Sequence, residues 1–273
     1  MKHKKYIIDE DINHIIKYTN SIKKKLYGKR ILITGGNGFL GKYFQIFFYE
    51  INKHSNNKSI NVDIYDLNFD FKFKEFSYFK KDIIKAKIKN NNYDYILHLA
   101  GLPSPKFYFQ SPLESLNLSI QVTNKLLEIA KENNSKFVMF SSSEIYGNPD
   151  KNNLPTSEHY FGNVDPIGDR SCYDEGKRLS ETLVSIYTRL YKIKGLIIRP
   201  FNIIGPGMRI NDDRVFPNFI KSILKRKKLK VYIPGQQTRT YCYIADAMVY
   251  LLLLMVNSKN GAYNVGNPSE EVS

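Results

Sequence analysis

The sequence predicts an α/β fold: a doubly wound parallel sheet covered by helices on both faces, with a smaller C-terminal region interleaved with it. Three observations predict it. Short β-branched or apolar runs recur at 30–34, 60–66, 95–99, 137–141 and 196–199, and helical patterns fill the gaps between them. A glycine-rich turn, Gly35 to Gly41, follows the first run and leads straight into a helical pattern. The 273 residues carry 42% hydrophobic and 25% charged side chains, an ordinary globular balance with enough apolar material for a large core.

The elements follow in order. Residues 1–28 read as a helical extension, because Ile12, Ile15, Ile16, Ile22 and Leu26 recur at helical spacing. Asp9 or Asp11 is placed to cap it. Lys29 to Thr34 is a buried strand, and Phe39 to Ile51 a helix. Ile60 to Tyr65 is a second strand that ends at Asp66. Tyr95 to Leu99, Phe137 to Ser141 and Leu196 to Arg199 are the next three. Helices are expected over 113–132 and 173–191. Residues 29–200 thus form a dinucleotide-binding domain. Residues 201–273, richer in Pro and Gly, are mostly a substrate-binding region, expected to be incomplete at its C-terminal end.

Composition narrows the function classes. The longest apolar stretch, Met248 to Val256, is about half of the ~20 residues a spanning helix needs, so no membrane partner is expected. No secretory leader pattern follows the basic residues at the start. Cys172 and Cys242 cannot build a disulfide framework or a metal cage, which points to a reducing, cytoplasmic setting. The net charge is +15, but the lysines are scattered through the whole chain. No nucleic-acid partner is expected; a basic surface suits an anionic small molecule.

Gly35, Gly38 and Gly41 give the spacing G-x-x-G-x-x-G between a strand and a helix. Such glycines permit a tight turn and bring backbone N–H groups close to a pyrophosphate, a Rossmann-type arrangement. Asp66 ends the next strand, where a carboxylate accepts the two ribose hydroxyls of NAD and repels the 2′-phosphate of NADP. Asp63 is the competing acid, inside the strand pattern. The expected cofactor is NAD.

Tyr173 and Lys177 form Y-x-x-x-K and share a helix face. An ammonium near the ring, together with a cationic nicotinamide, favours a phenolate that takes a proton from a sugar hydroxyl. Ser141 to Glu144 end the fourth strand, at the sheet edge where ligands bind in such folds. His98 reads as a core histidine.

Taken together, TGGNGFLG, HLAGLPSP, SSSEIYG, GNVDPIGDRSCYDEGKR, RPFNIIGPGM, NDDRVFPNFI and QTRTYCYIADA resemble the extended short-chain dehydrogenase/reductases. Within them, the closest resemblance is to the UDP-glucuronate decarboxylases. The match runs from residue 30 to about 267. It implies an NAD-dependent lyase acting on a UDP-sugar through a 4-keto intermediate, with NAD regenerated. A 4-epimerase or 4,6-dehydratase of nucleotide sugars is the nearest alternative, and an NAD-holding, catalytically weak subunit the next. The resemblance makes Tyr173 the base and Lys177 its support, has Ser142 orient the C4 hydroxyl, and puts Ser143 and Glu144 beside C5. It assigns Gly35, Gly38, Phe39, Leu40, Gly41, Asp66, Asp82, Ile83, Leu99, Ala100 and Gly101 to the dinucleotide. Tyr108, Asn202, Arg214, Tyr232 and Arg239 fall on substrate-side positions. Ser119 to Thr123 read SIQVT where the pattern has N-x-x-G-T. The resemblance also implies a homodimer built on helices 113–132 and 173–191, and a role in polysaccharide biosynthesis.

Overall fold

The computed structural model describes residues 7–55, 58–102, 104–212, 214–229, 238–269 and 271–272. Its elements run α1 (Asp9–Tyr18), α2 (Lys23–Leu26), β1 (Arg30–Thr34), α3 (Phe39–Asn52), β2 (Asn61–Asp66), β3 (Ser77–Lys80), β4 (Tyr95–His98), α4 (Pro105–Gln110), α5 (Pro112–Asn117), α6 (Thr123–Asn133), β5 (Lys136–Phe140), α7 (Ser171–Tyr191), β6 (Lys194–Pro200), β7 (Ile203–Ile204), α8 (Val215–Leu224), β8 (Cys242–Tyr243), α9 (Ile244–Asn257) and β9 (Gly261–Val265).

Seven strands form one parallel sheet in the order β3-β2-β1-β4-β5-β6-β9, and β7 pairs with β8 alone. The order reverses next to β1, between β2 and β4, which is where such sheets open a ligand crevice. Strand periodicity builds the two-sided core. Ile31, Ile33, Leu97, Val138, Phe140, Leu196 and Ile198 face the layer of α1, α3 and α9. Leu32, Ile96, Phe137, Met139 and Ile197 face the layer of α6 and α7. Both faces are covered, so the strands read as continuous apolar runs instead of alternating ones.

The five expected strands are present, and two more complete the sheet. β3 is a four-residue edge strand with little burial, and β9, GAYNV, carries few strand-forming residues. Neither has a pattern that stands out before its neighbour is known. The N-terminal extension is broken where one helix was expected. Thr19 ends α1, its hydroxyl bonding back to the Ile15 carbonyl at 2.7 Å, and a 3-10 turn at Asn20–Ile22 leads into α2. Neither aspartate caps α1. Ile8 is the N-cap, and Asp11 is buried, accepting hydrogen bonds from Tyr43 (3.0 Å) and Tyr243 (3.3 Å). Asp11 thus locks the extension onto α3 and the start of α9.

The helix expected over 113–132 is α5 and α6 joined by a π turn at Leu118–Val122. The turn coincides with the SIQVT departure. The Ser119 carbonyl accepts from Ser180 Oγ of α7 at 2.8 Å, so a side chain satisfies a carbonyl in the distorted turn. Among the described residues no helix is long and apolar enough to cross a membrane.

Candidate active site

The site residues gather at the C-terminal ends of the strands. Gly35 leaves β1 at φ +74°, and its N–H donates to the Tyr65 carbonyl at 2.9 Å. A Cβ there would lie 2.6 Å from the Ala100 nitrogen; one on Gly41 would lie 2.5 Å from the Gly36 carbonyl oxygen. Only glycine lets the loop fold this tightly against the Leu99–Gly101 turn. Gly38 is the N-cap of α3 and brings no side chain over the first turn, which holds Phe39, Leu40 and Gly41. The N–H groups of that turn therefore remain available to an anion.

Asp66 sits beside this loop at the end of β2. It accepts the Asn37 N–H at 2.8 Å and stays half-buried. Asp63 is 4% exposed and accepts from Tyr93 (2.8 Å) and Asn91 (2.6 Å), so its carboxylate serves the core. Asp82 caps the turn after β3 by accepting the Ile84 N–H at 2.9 Å, and Ile83 is buried beside it. Lys125 of α6 secures this turn through the carbonyls of Ile83 and Ile84. The cramped glycine turn, the open helix end and the carboxylate at the next strand end fit a dinucleotide with free ribose hydroxyls.

On the other side of the crevice, Tyr173 is 5% exposed in the first turns of α7. Ser142, at the end of β5, caps the 3-10 turn Ser143–Tyr146 by accepting the Glu144 N–H at 3.2 Å. Burial pushes the Tyr173 phenol up to about 12, against a hydrogen bond with Ser142 that pulls it down. Lys177 lies one turn on. It donates to the Phe140 carbonyl at 2.8 Å, and its nitrogen is 6.0 Å from the Tyr173 ring centre. Burial lowers its ammonium to about 8. The protein's own groups therefore hold the Tyr173 phenol above its ordinary range, and a phenolate there needs the further cation of a bound nicotinamide. Lys177 spends its short contact on a backbone carbonyl, and the cation that pulls the phenol down is Arg214.

Tyr108 of α4 stacks on Tyr173, ring centres 5.3 Å apart. Arg214 forks onto Asp212 at 3.0 and 2.6 Å and carries positive charge toward Tyr173. Asn202 holds the Thr240 carbonyl at 3.1 Å, just beyond β6. Arg239 is exposed, bridged through its backbone to Val272, with no contact to the Tyr173 cluster among the described residues. Tyr232 lies outside the described residues. Gly101 closes the gap between the two halves: a Cβ on it would lie 3.7 Å from the Lys177 nitrogen.

Sequence reasoning missed two groups. Arg170, three residues before Tyr173, pairs with Glu144 and reaches Asp174 at 3.6 Å. Beneath the site, Glu181 takes a bidentate contact from Arg199 (3.0 and 2.6 Å) and a bond from Ser141 at 2.5 Å. Arg199 also donates to the Tyr146 hydroxyl at 2.8 Å, which donates to Asn264 of β9 at 2.8 Å. This network ties β5, β6, α7 and β9 together. Glu181 follows Lys177 by four residues, so helical spacing alone places it on the same face. His98 meets its expectation: it is buried between Thr34 (3.0 Å) and Thr123 (3.1 Å), and desolvation holds it near 3, neutral.

Residues 31–266 match the NAD dependent epimerase/dehydratase family. The chain is 38% identical over 245 residues to UDP-glucuronic acid decarboxylase 6 of Arabidopsis thaliana, covering 88% of this chain and 70% of the relative. UDP-glucuronic acid 4-epimerase from Bacillus cereus, solved with UDP-glucuronic acid and NAD, superposes with a TM-score of 0.73. It is 25% identical, over 89% of this chain and 79% of that one. TunA, an NAD dependent NDP-hexosamine 5,6-dehydratase of tunicamycin biosynthesis, gives 0.74 at 26% identity, over 89% and 77%. The glycine cradle, the Tyr173–Lys177 pair and these matches agree: the chain belongs to the NAD dependent epimerase/dehydratase family and is an NAD-using enzyme.

Proposed function

We propose that the chain decarboxylates UDP-glucuronate to UDP-xylose. The observation that carries this reading is the Ser142-Ser143-Glu144 turn beside Tyr173, with Glu144 held by Arg170. A carboxylate and two hydroxyls then flank a sugar bound against Tyr173, while the dinucleotide crevice lies on the opposite side. The family relatives of 35–38% identity named UDP-glucuronic acid decarboxylase support the same reaction.

Gly35, Gly38, Phe39, Leu40 and Gly41 hold the pyrophosphate of NAD in this reading, and Asp66 takes its ribose hydroxyls. Asp82 and Ile83 lie against its adenine, and Leu99 to Gly101 line its length. Bound there, NAD supplies a reversible two-electron oxidation at C4 of the sugar, and the ketone so made lets the neighbouring carboxylate leave as CO2.

The protein's residues do the rest. Tyr173 takes the proton of the C4 hydroxyl on its phenol oxygen and later returns it. Ser142 shares a hydrogen bond with Tyr173 and fixes the hydroxyl's direction. Lys177 supplies positive charge from behind the ring, and a cationic partner in the crevice adds to it, lowering the phenol from its resting value near 12. Ser143 and Glu144 sit at the C5 side, where a proton must be delivered once CO2 has gone. Tyr108, Asn202 and Arg214 line the approach to Tyr173, and Arg214 suits a diphosphate. Tyr232 and Arg239 join this set on the family resemblance.

We also place the enzyme in the cytoplasm, as a homodimer. Leu113 of α5 and Leu179 of α7 are exposed apolar side chains on two helices that pack together, and Cys172 and Cys242 are both free thiols. The test of function is incubation with UDP-glucuronate and NAD, followed by mass analysis. Loss of the mass of CO2 supports the proposal. A C4 epimer of unchanged mass, as the likeness to the Bacillus cereus enzyme would suggest, or loss of water, sinks it.

A further inference from the structure

The opposite edge of the sheet holds a cavity of about 850 Å³, at the N-terminal ends of β1, β4, β5 and β6. A five-residue strand spans roughly 16 Å, so this cavity is a strand's length from the site above and separate from it. Its volume falls in the range of small-molecule pockets. Lys29, Lys136, Lys194, Lys259, Asn133 and Asn134 line it.

The lining is rich in donors and short of negative charge. Lys136 and Lys194 are register partners on neighbouring parallel strands, which sets two ammonium stems side by side. Lys136 is 8% exposed. Its nitrogen donates to the Ser258 carbonyl at 2.8 Å and the Leu254 carbonyl at 3.4 Å, and it pairs with no carboxylate among the described residues. Burial and the Lys194 charge lower it to about 8. Asn133 has a buried amide nitrogen with no hydrogen-bond partner. Asp94 is the one carboxylate in the lining, and it is engaged by Lys29 (2.8 Å) and the Arg30 N–H (2.9 Å). A largely buried ammonium met by backbone carbonyls alone, with a second cation beside it, is costly without an anion.

We propose that this cavity binds a small diphosphate-bearing anion, free or as part of a nucleoside diphosphate, at a site distinct from the strand-end crevice. Lys136, Lys194 and Lys259 supply the charge. Charged contacts to phosphate oxygens are strong enough to offset the burial of Lys136.

The test is calorimetric titration of inorganic pyrophosphate, and separately of ADP, into the chain already saturated with NAD and UDP, which block the other crevice. One further binding event is expected, weakened at least about tenfold in Lys194→Glu. Lys194 is exposed, so that variant keeps its fold; Lys136→Met gives a second, independent loss. Equal affinity for pyrophosphate and ADP assigns the site to the diphosphate alone, and tighter ADP assigns it to a nucleotide. No binding event beyond NAD and UDP, or an affinity unchanged in Lys194→Glu, overturns the proposal.

Discussion

Tyr173 is buried and protonated at rest, so its chemistry depends on what binds beside it. Tyr173→Phe leaves the stacking on Tyr108 in place and removes only the proton acceptor. Turnover should fall about 10²–10⁴-fold with NAD still bound, measured as product formed against NAD retained on a desalting column. Asp174, its neighbour, is 7% exposed, one of its oxygens has no partner, and burial raises its carboxyl to about 6. The folded state thus holds this proton more tightly than the unfolded chain does. Stability from this residue is full below about pH 4 and is lost as pH rises through about 6. Asp174→Asn should therefore stabilise the fold by about 2 kcal/mol at pH 7.5 and by nothing at pH 4, read by urea denaturation at the two values. At this scale the sequence was legible wherever a motif fixes position along one element. Tyr173, Lys177, the glycines and Asp66 are spaced by a helix or a turn. Arg170 and Arg199 were not, because their partners Glu144 and Glu181 lie 26 and 18 residues away and meet them only through the fold.

Elements carry the site because their ends are held from below. The Glu181–Arg199 pair is 11% exposed on both sides and joins α7 to β6 while bonding Ser141 of the strand-end turn. Removing one member leaves the other charge buried. Glu181→Gln should cost about 3 kcal/mol, seen as a lowered denaturation midpoint, and should slow turnover by loosening Ser142. The glycine turn is as constrained. Gly41→Ala places a methyl 2.5 Å from the Gly36 carbonyl, so NAD affinity should drop at least about tenfold, measured by fluorescence titration, before any change in the sugar step. The main strands were legible because each is buried on two faces and so apolar throughout. The edge strands β3 and β9 were not, since one neighbour supplies most of what holds them. The break in the N-terminal extension follows from Thr19 bonding its own helix, a local competition that apolar periodicity does not register.

At the scale of the molecule, the fold places the two crevices at opposite ends of one parallel sheet and leaves Leu113 and Leu179 on an outer helical layer. If that layer is the dimer contact proposed here, Leu179→Glu should convert a dimer to a monomer by light scattering without loss of helical signal. Fold class and family were legible across nearly the whole chain, because βαβ alternation and the motifs extend over residues 31–266. The reaction itself was legible only through resemblance, since epimerases, dehydratases and decarboxylases share the Tyr–Lys pair and differ in what stands beside it. The most direct test supplies UDP-glucuronate deuterated at C4 with substoichiometric NAD and follows the product by mass and the cofactor by absorbance. Decarboxylation with the cofactor restored at each turnover predicts UDP-xylose that keeps its deuterium, many turnovers per NAD, and no accumulating NADH. Product that keeps its carboxylate, or one turnover with NADH left behind, would contradict it.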